Sequence, residues 1–227
     1  MPFLAEDMAR VEAAIEAAEA HTSGEIYCIH ARTPHRYVEW LLALAASLAF
    51  LLPLGATLLG FGPEAWLALV HSGGWRDAMA PMPDRLVVEI YAGVQLALFL
   101  LLLLALWWSP LAQRRAPLWL RQRHVHELAT HQFLAHGVHL TAERTGVLLF
   151  VSVDDHVAEV VADEGIHAKV DERVWVETVA ALLAGLRRGD PAGGYVEAIA
   201  RAGAVLAEHF PPRPANPDEL PNRLIVI

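Results

Sequence analysis

The chain has 227 residues, 55% of them hydrophobic and only 19% charged, with a formal net charge of -9. That balance, without a basic stripe or a set of base-stacking aromatics, excludes general nucleic-acid binding, which needs a cationic surface to displace counterions from phosphates. The one cysteine, Cys28, excludes an intramolecular disulfide framework.

From the amino end, Leu4, Met8, Val11, Ile15 and Ala18 lay an apolar stripe along a helix rich in alanine and glutamate. A basic start followed by an apolar core is missing, so this segment does not read as a signal peptide. The helix is expected to stop near His21 to Gly24, and Glu25–Ala31 (EIYCIHA) reads as a strand apolar on both faces.

The hydrophobic excess then concentrates between Val38 and Trp108. Leu41–Phe61 and Leu86–Trp108 are each ~20 residues, the length a helix needs to cross the hydrocarbon core. Pro53 and Gly55 in the first are tolerated in membrane helices, where neighbouring groups satisfy the freed carbonyl. Residues 64–70 predict a short interfacial helix. In an antiparallel hairpin Trp40, Trp107 and Trp108 fall on one side and Trp66 and Trp75 on the other, as in an aromatic belt. Arg32 and Arg36 precede the first span and Arg114, Arg115, Arg121 and Arg123 follow the second. The intervening loop has only Arg76 and Arg85, offset by Asp77 and Asp84. The positive-inside rule predicts both termini and the soluble domain in the cytoplasm. The expected location is therefore a cell membrane, with the lipid bilayer and a membrane protein as partners.

A helix from about Arg121 to His136 leads through Gly146 into a second strand, Val147–Val153. Two helix-to-strand units predict parallel neighbours in one sheet. Asp154, Asp155 and His156 make a tight turn into a third strand, Val157–Ala162. Asp171 and Glu172 open a helix that closes at Arg187, Arg188 and Gly189, with charges on the favourable ends of its dipole. Asp190-Pro191 caps a further helix with Tyr195, Ile199, Ala202 and Leu206 on one stripe. The apolar ending LIVI predicts an edge strand or a packed tail. The fold class is thus α/β, a small mixed central sheet flanked by helices and split in sequence by a transmembrane helical hairpin. Residues 1–37 form its first part, 38–110 the hairpin, 111–210 the remainder and 211–227 a proline-rich tail.

Asp154, Asp155, Asp163, Glu164 and Asp171 are the candidate metal ligands, because a hard cation such as calcium takes six or more oxygens. Turn formation and helix capping compete as reasons for acids at these places. His136 and His139 have a spacing that can face one metal from a helix, which would suit a metal or pH sensor. HExxH, a glycine-flanked nucleophile elbow and a glycine-rich phosphate loop are all missing, so no catalytic set is expected.

The succession of an amino-terminal helix, TSGEIYCI (Thr22–Ile29), a helix, GVLLFVSVDD (Gly146–Asp155), an ADEG turn and GDPAGGY (Gly189–Tyr195) resembles the TPM domain. VADEGIHAKV, LAEHFPPRP and DELPNRLI resemble the bacterial TPM-domain membrane proteins that carry two inserted spans. The resemblance implies an α/β sandwich and, from other members, acid phosphatase activity, calcium binding or accessory roles in membrane complexes. Where many members have Gly-x-Gly-Leu-Glu, this chain has Asp163, Glu164, Gly165, Ile166 and His167, with a histidine in place of the glutamate. Most members face the periplasm, lumen or exterior, whereas the charge rule places this one inside. The leading expectation is a membrane-anchored binding or accessory module for a membrane complex, with calcium at the acidic turns. The alternatives are a phosphatase-like phosphomonoester hydrolase and the histidine-based sensor.

Overall fold

The computed structural model describes residues 3–32, 37–60, 84–109, 116–213 and 217–227. Two compact units emerge, one built from 1–35 with 117–227 and the other from 36–116. In the first unit, helix α1 (Ala5–Glu19) leads into β1 (Glu25–Ala31). After the second unit the chain returns through α4 (Leu118–Ala135), β2 (Gly146–Ser152) and β3 (Val157–Ala162). The one-turn helix α5 (Glu164–His167), the long α6 (Val176–Arg188) and α7 (Pro191–His209) and the edge strand β4 (Leu224–Val226) complete it.

The sheet order is β3-β2-β1-β4. β1 pairs parallel with both β2 and β4, and β2 pairs antiparallel with β3, so the sheet is mixed as expected. Every residue of β1 and β2 is buried, because helices cover both faces of these central strands. Alternation along the strands sorts the core into two layers. Ile26, Cys28, Val147, Leu149 and Val151 face α1, α6 and α7 through Val11, Ile15, Leu182, Ile199 and Leu206. Tyr27, Ile29, Leu148 and Phe150 face α4 through Val125, Ala129 and Phe133. The buried Tyr195 hydroxyl donates to the Ile29 carbonyl at 2.7 Å, tying α7 to the middle of the sheet.

The second unit holds α2 (Val38–Leu58) and α3 (Asp84–Trp108), which pack on one another. Leu41, Ala45, Ala49 and Pro53 recur every four residues as the buried stripe of α2, and the small side chains of Ala45 and Ala49 let a neighbouring helix approach closely. The helix runs on through Pro53, and one turn later the Thr57 hydroxyl donates to the Pro53 carbonyl at 2.9 Å. Phe50, Leu58, Leu101 and Leu104 are exposed. Both helices are long and apolar enough to cross a membrane. The helix expected over 64–70, with Trp66, Trp75, Arg76 and Asp77, lies outside the described residues.

α6 and α7 cross where two glycines meet. A Cβ on Gly185 would overlap the Gly194 Cα, so no larger residue fits without moving a helix. Gly185→Ala is expected to destabilise the first unit by about 1–3 kcal/mol, the usual cost of overpacking. A lowered thermal midpoint in detergent, followed by tryptophan fluorescence, checks this; an unchanged midpoint would mean the crossing is slack.

Candidate functional site

The five acids singled out from the sequence fall in separate places. Asp154 is exposed in the turn between β2 and β3. Asp155 is buried and closes that turn: its carboxylate accepts the Ser152 hydroxyl at 2.7 Å and its carbonyl accepts Arg121 Nη1 at 2.6 Å. His156 completes the turn with a φ of 53°, in the left-handed region. Asp163, also buried, caps α5 by accepting the Glu164 amide at 2.7 Å. Arg144 Nε lies 3.1 Å from one of its carboxylate oxygens and 3.0 Å from the other. Glu164 is exposed beside it. Asp171 is exposed, accepts the Arg173 amide and guanidinium, and is held below the usual carboxylate range by those bonds.

Strand register separates these groups. Ser152 pairs with Val157 at the Asp154–Asp155 end, and Val147 pairs with Ala162 at the Asp163–Glu164 end. The two ends are a strand length apart, ~20 Å at about 3.3 Å per residue. The five acids therefore do not gather into one cation site. The histidine pair is also divided. α4 ends at Ala135, and Gly137 turns the chain with a φ of 69°, so His139 sits in a separate 3₁₀ turn and the helical spacing is lost. His136 Nδ1 meets the Tyr27 hydroxyl at 3.2 Å, while His139 packs on Phe133.

A different set of carboxylates does converge. Glu19 ends α1, Glu25 opens β1, and Asp218 arrives from the tail that folds back to place β4 beside β1. One oxygen from each lies within 4.8 Å of the others. Glu19 and Glu25 are buried and Asp218 is exposed. Glu19 Oε1 accepts the Ile26 amide at 2.7 Å, and the Glu25 oxygens accept the Glu219 and Leu220 amides at 3.4 and 3.3 Å. Asn222 bonds Glu19 through its side chain, and its Oδ1 is buried without a hydrogen-bond partner. Around this cluster Arg213 bridges Glu219 at 3.0 Å and Glu143 at 3.7 Å.

Burial, with smaller contributions from Glu25 and Asp218, pushes Glu19 up to about 8 against the lowering bond from Ile26. Glu25 is raised for the same first reason. The oxygens of Glu19, Glu25 and Asp218 suit a hard cation such as calcium or magnesium better than zinc. The signal in the sequence was a pair of local conflicts: an acid in the last turn of α1, on the unfavourable end of its dipole, and an acid opening an otherwise apolar strand.

A carboxyl held up to about 8 when folded keeps a proton that the unfolded chain releases near 4.5. Its contribution to stability therefore falls as pH rises from about 4.5 to about 8. Glu19→Gln, which keeps the acceptor for Ile26, is expected to remove that fall and to gain on the order of 3 kcal/mol relative to the parent chain at pH 8. Thermal midpoints of both proteins across that pH range decide it; parallel profiles would show that Glu19 titrates normally.

Comparison with known proteins bears on the first unit. The family model described as the TPM domain matches residues 120–205, from α4 into α7. No curated protein matches the chain. The NMR structure of the BA42 protein from the psychrophilic bacterium Bizionia argentinensis superposes with a TM-score of 0.56, at 19% identity over 100% of this chain and 97% of that one, which is a likeness of fold. Glu19, Glu25 and Asp218 lie outside the matched residues. Residues 120–205, then, are similar to the TPM domain, and the sheet to which they contribute β2 and β3 is completed by strands from both sides of that stretch.

Proposed function

We propose that the chain is a membrane-anchored binding module, in which α2 and α3 cross a bacterial cell membrane and hold the TPM-domain unit at its cytoplasmic face for a membrane-protein partner. The observation that carries this reading is the position of the two apolar helices in the chain. They lie between β1 and β2, which pair side by side in one sheet. Both strands must share a compartment, so the insertion must cross an even number of times, as two helices do. The arginines flanking the spans favour the cytoplasmic side. Asp155 and Asp163, on which phosphomonoester hydrolysis would have to rest, sit at opposite ends of β3 and each is committed to a local turn or cap.

A second reading, that the module also binds a divalent cation, is favoured by the convergence of Glu19, Glu25 and Asp218. Three carboxyls this close need a shared proton or a cation to offset their repulsion. The candidate site then lies at the start of β1, a strand length from the Asp154–Asp155 turn.

Reporter fusions at residue 80 and at the carboxyl terminus are expected to read external and cytoplasmic respectively; a cytoplasmic signal at residue 80 would overturn the anchor. For the cation, calcorimetric titration of the full chain in detergent at pH 8 is expected to show calcium binding that weakens at least tenfold in Asp218→Asn, about 1.4 kcal/mol. Absence of calcium and magnesium heats in the parent protein would remove this second reading and leave the first intact.

A further inference from the structure

We infer that His30 is an acid-sensitive latch on the amino end of α1: the neutral imidazole seats Phe3 against the sheet, and protonation releases Phe3 together with the first turn of the helix. The latch lies wholly within the first unit. His30 follows Ile26 and Cys28 along one face of β1, the face that packs on α1 and α7. It is 2% exposed, and its Nδ1 is buried without a hydrogen-bond partner. Aromatic rings flank it instead. Phe3 stands edge-on at 4.6 Å and Tyr195 at 6.0 Å, with Phe3 and Tyr195 themselves 6.3 Å apart. Such a setting accommodates a neutral imidazole, whereas an imidazolium needs acceptors for two N–H groups.

The surrounding charges do not favour the charged ring. Burial, with repulsion from Arg32 on β1 and from the amino terminus, holds His30 down to about 4. On α1, Asp7 and Arg10 pair with each other at 3.6 Å, and Arg10 reaches Asp190 at the start of α7 at 4.0 Å. The Tyr195 hydroxyl is committed to the Ile29 carbonyl. β2 and β4 carry no titratable side chain.

Release is local because little else holds the amino end of α1. The buried residues of that helix are Val11, Ile15 and Glu19, all beyond its first turn, and Leu4 is exposed. Leu4 stands at the cap position without a side-chain cap bond, so Phe3 is the apolar side chain that ties this end to the core. Once opened, His30 takes a proton near its ordinary value of 6.5. The closed arrangement therefore loses stability as pH falls from about 6.5 to about 4.

The test is hydrogen exchange on the full chain in detergent, read as protection relative to an unstructured chain at each pH. The Met8 amide, which donates to the Leu4 carbonyl at 3.1 Å, reports the first turn, and the Leu149 amide in β2 reports the core. Between pH 7.5 and pH 5, protection at Met8 is expected to fall about thirtyfold, the ratio set by His30 at 6.5 when open and about 4 when closed, while Leu149 holds. His30→Leu, which keeps Asp7 and its bond from the Leu4 amide, is expected to abolish the fall. In the parent chain the His30 ring signals are expected to titrate below pH 5, a measurement that needs no variant. An equal fall in His30→Leu, unchanged protection at Met8 in the parent, or a ring that titrates near 6.5 would each overturn the latch. A parallel loss at Leu149 would overturn it too, because the chain would then be opening as a whole.

Discussion

The parallel pairing of β1 with β2 is the constraint on which the rest of this structure depends. All seven residues of β1 are buried, and neither the amino-terminal segment nor the later segment can satisfy that strand's backbone alone. β4 closes its other edge, so β1 takes partners from residues 146–152 and 224–226. Bringing distant segments together costs only logarithmically in loop length. What the insertion must satisfy is direction: it leaves β1 and must bring the chain back to the side from which β2 can run parallel. α4, which follows the apolar pair in the chain and packs on the sheet, is the crossover that does this.

The same strand separates two chemically different ends. Where β1 ends and the chain leaves for the apolar helices, the fold is held by the Asp155 turn and its bond from Arg121. At the start of β1, burial of Glu19 and Glu25 is offset by amides from Ile26, Glu219 and Leu220. Cys28, between the two ends, is wholly buried with its thiol pushed up by that burial, so it behaves as a small apolar side chain.

The sheet was legible because its signals are local. Apolar runs marked β1, β2 and β3 and Asp190-Pro191 marked the start of α7, since each depends on residues within a few positions, while the apolar ending left an edge strand and a packed tail equally open. The candidate site was not legible, because sequence proximity stood in for spatial proximity. Asp155 and Asp163 are close along the chain yet point out of opposite ends of an antiparallel strand, whereas Glu25 and Asp218 meet only after the tail folds back. The pair His136 and His139 failed for a local reason that periodicity cannot register, the left-handed Gly137 between them. Asp171 similarly caps a short 3₁₀ turn, and the long helix begins only at Val176.

The carboxyl cluster has two ways of meeting the cost of its own burial. Glu19 can hold a proton, which its displacement to about 8 makes the state at neutral pH. Alternatively a cation can take the place of that proton, and the backbone amides already oriented on Glu19 and Glu25 then fix the carboxylates in position. Proton and cation compete for the same oxygens, so cation affinity must rise with pH through the range in which Glu19 would otherwise release its proton. A fold that needed only stability could have filled this position with apolar side chains, as it does along the rest of β1. The two buried acids instead tie the end of α1 and the closing segment to the start of the central strand, through the amides of Ile26, Glu219 and Leu220.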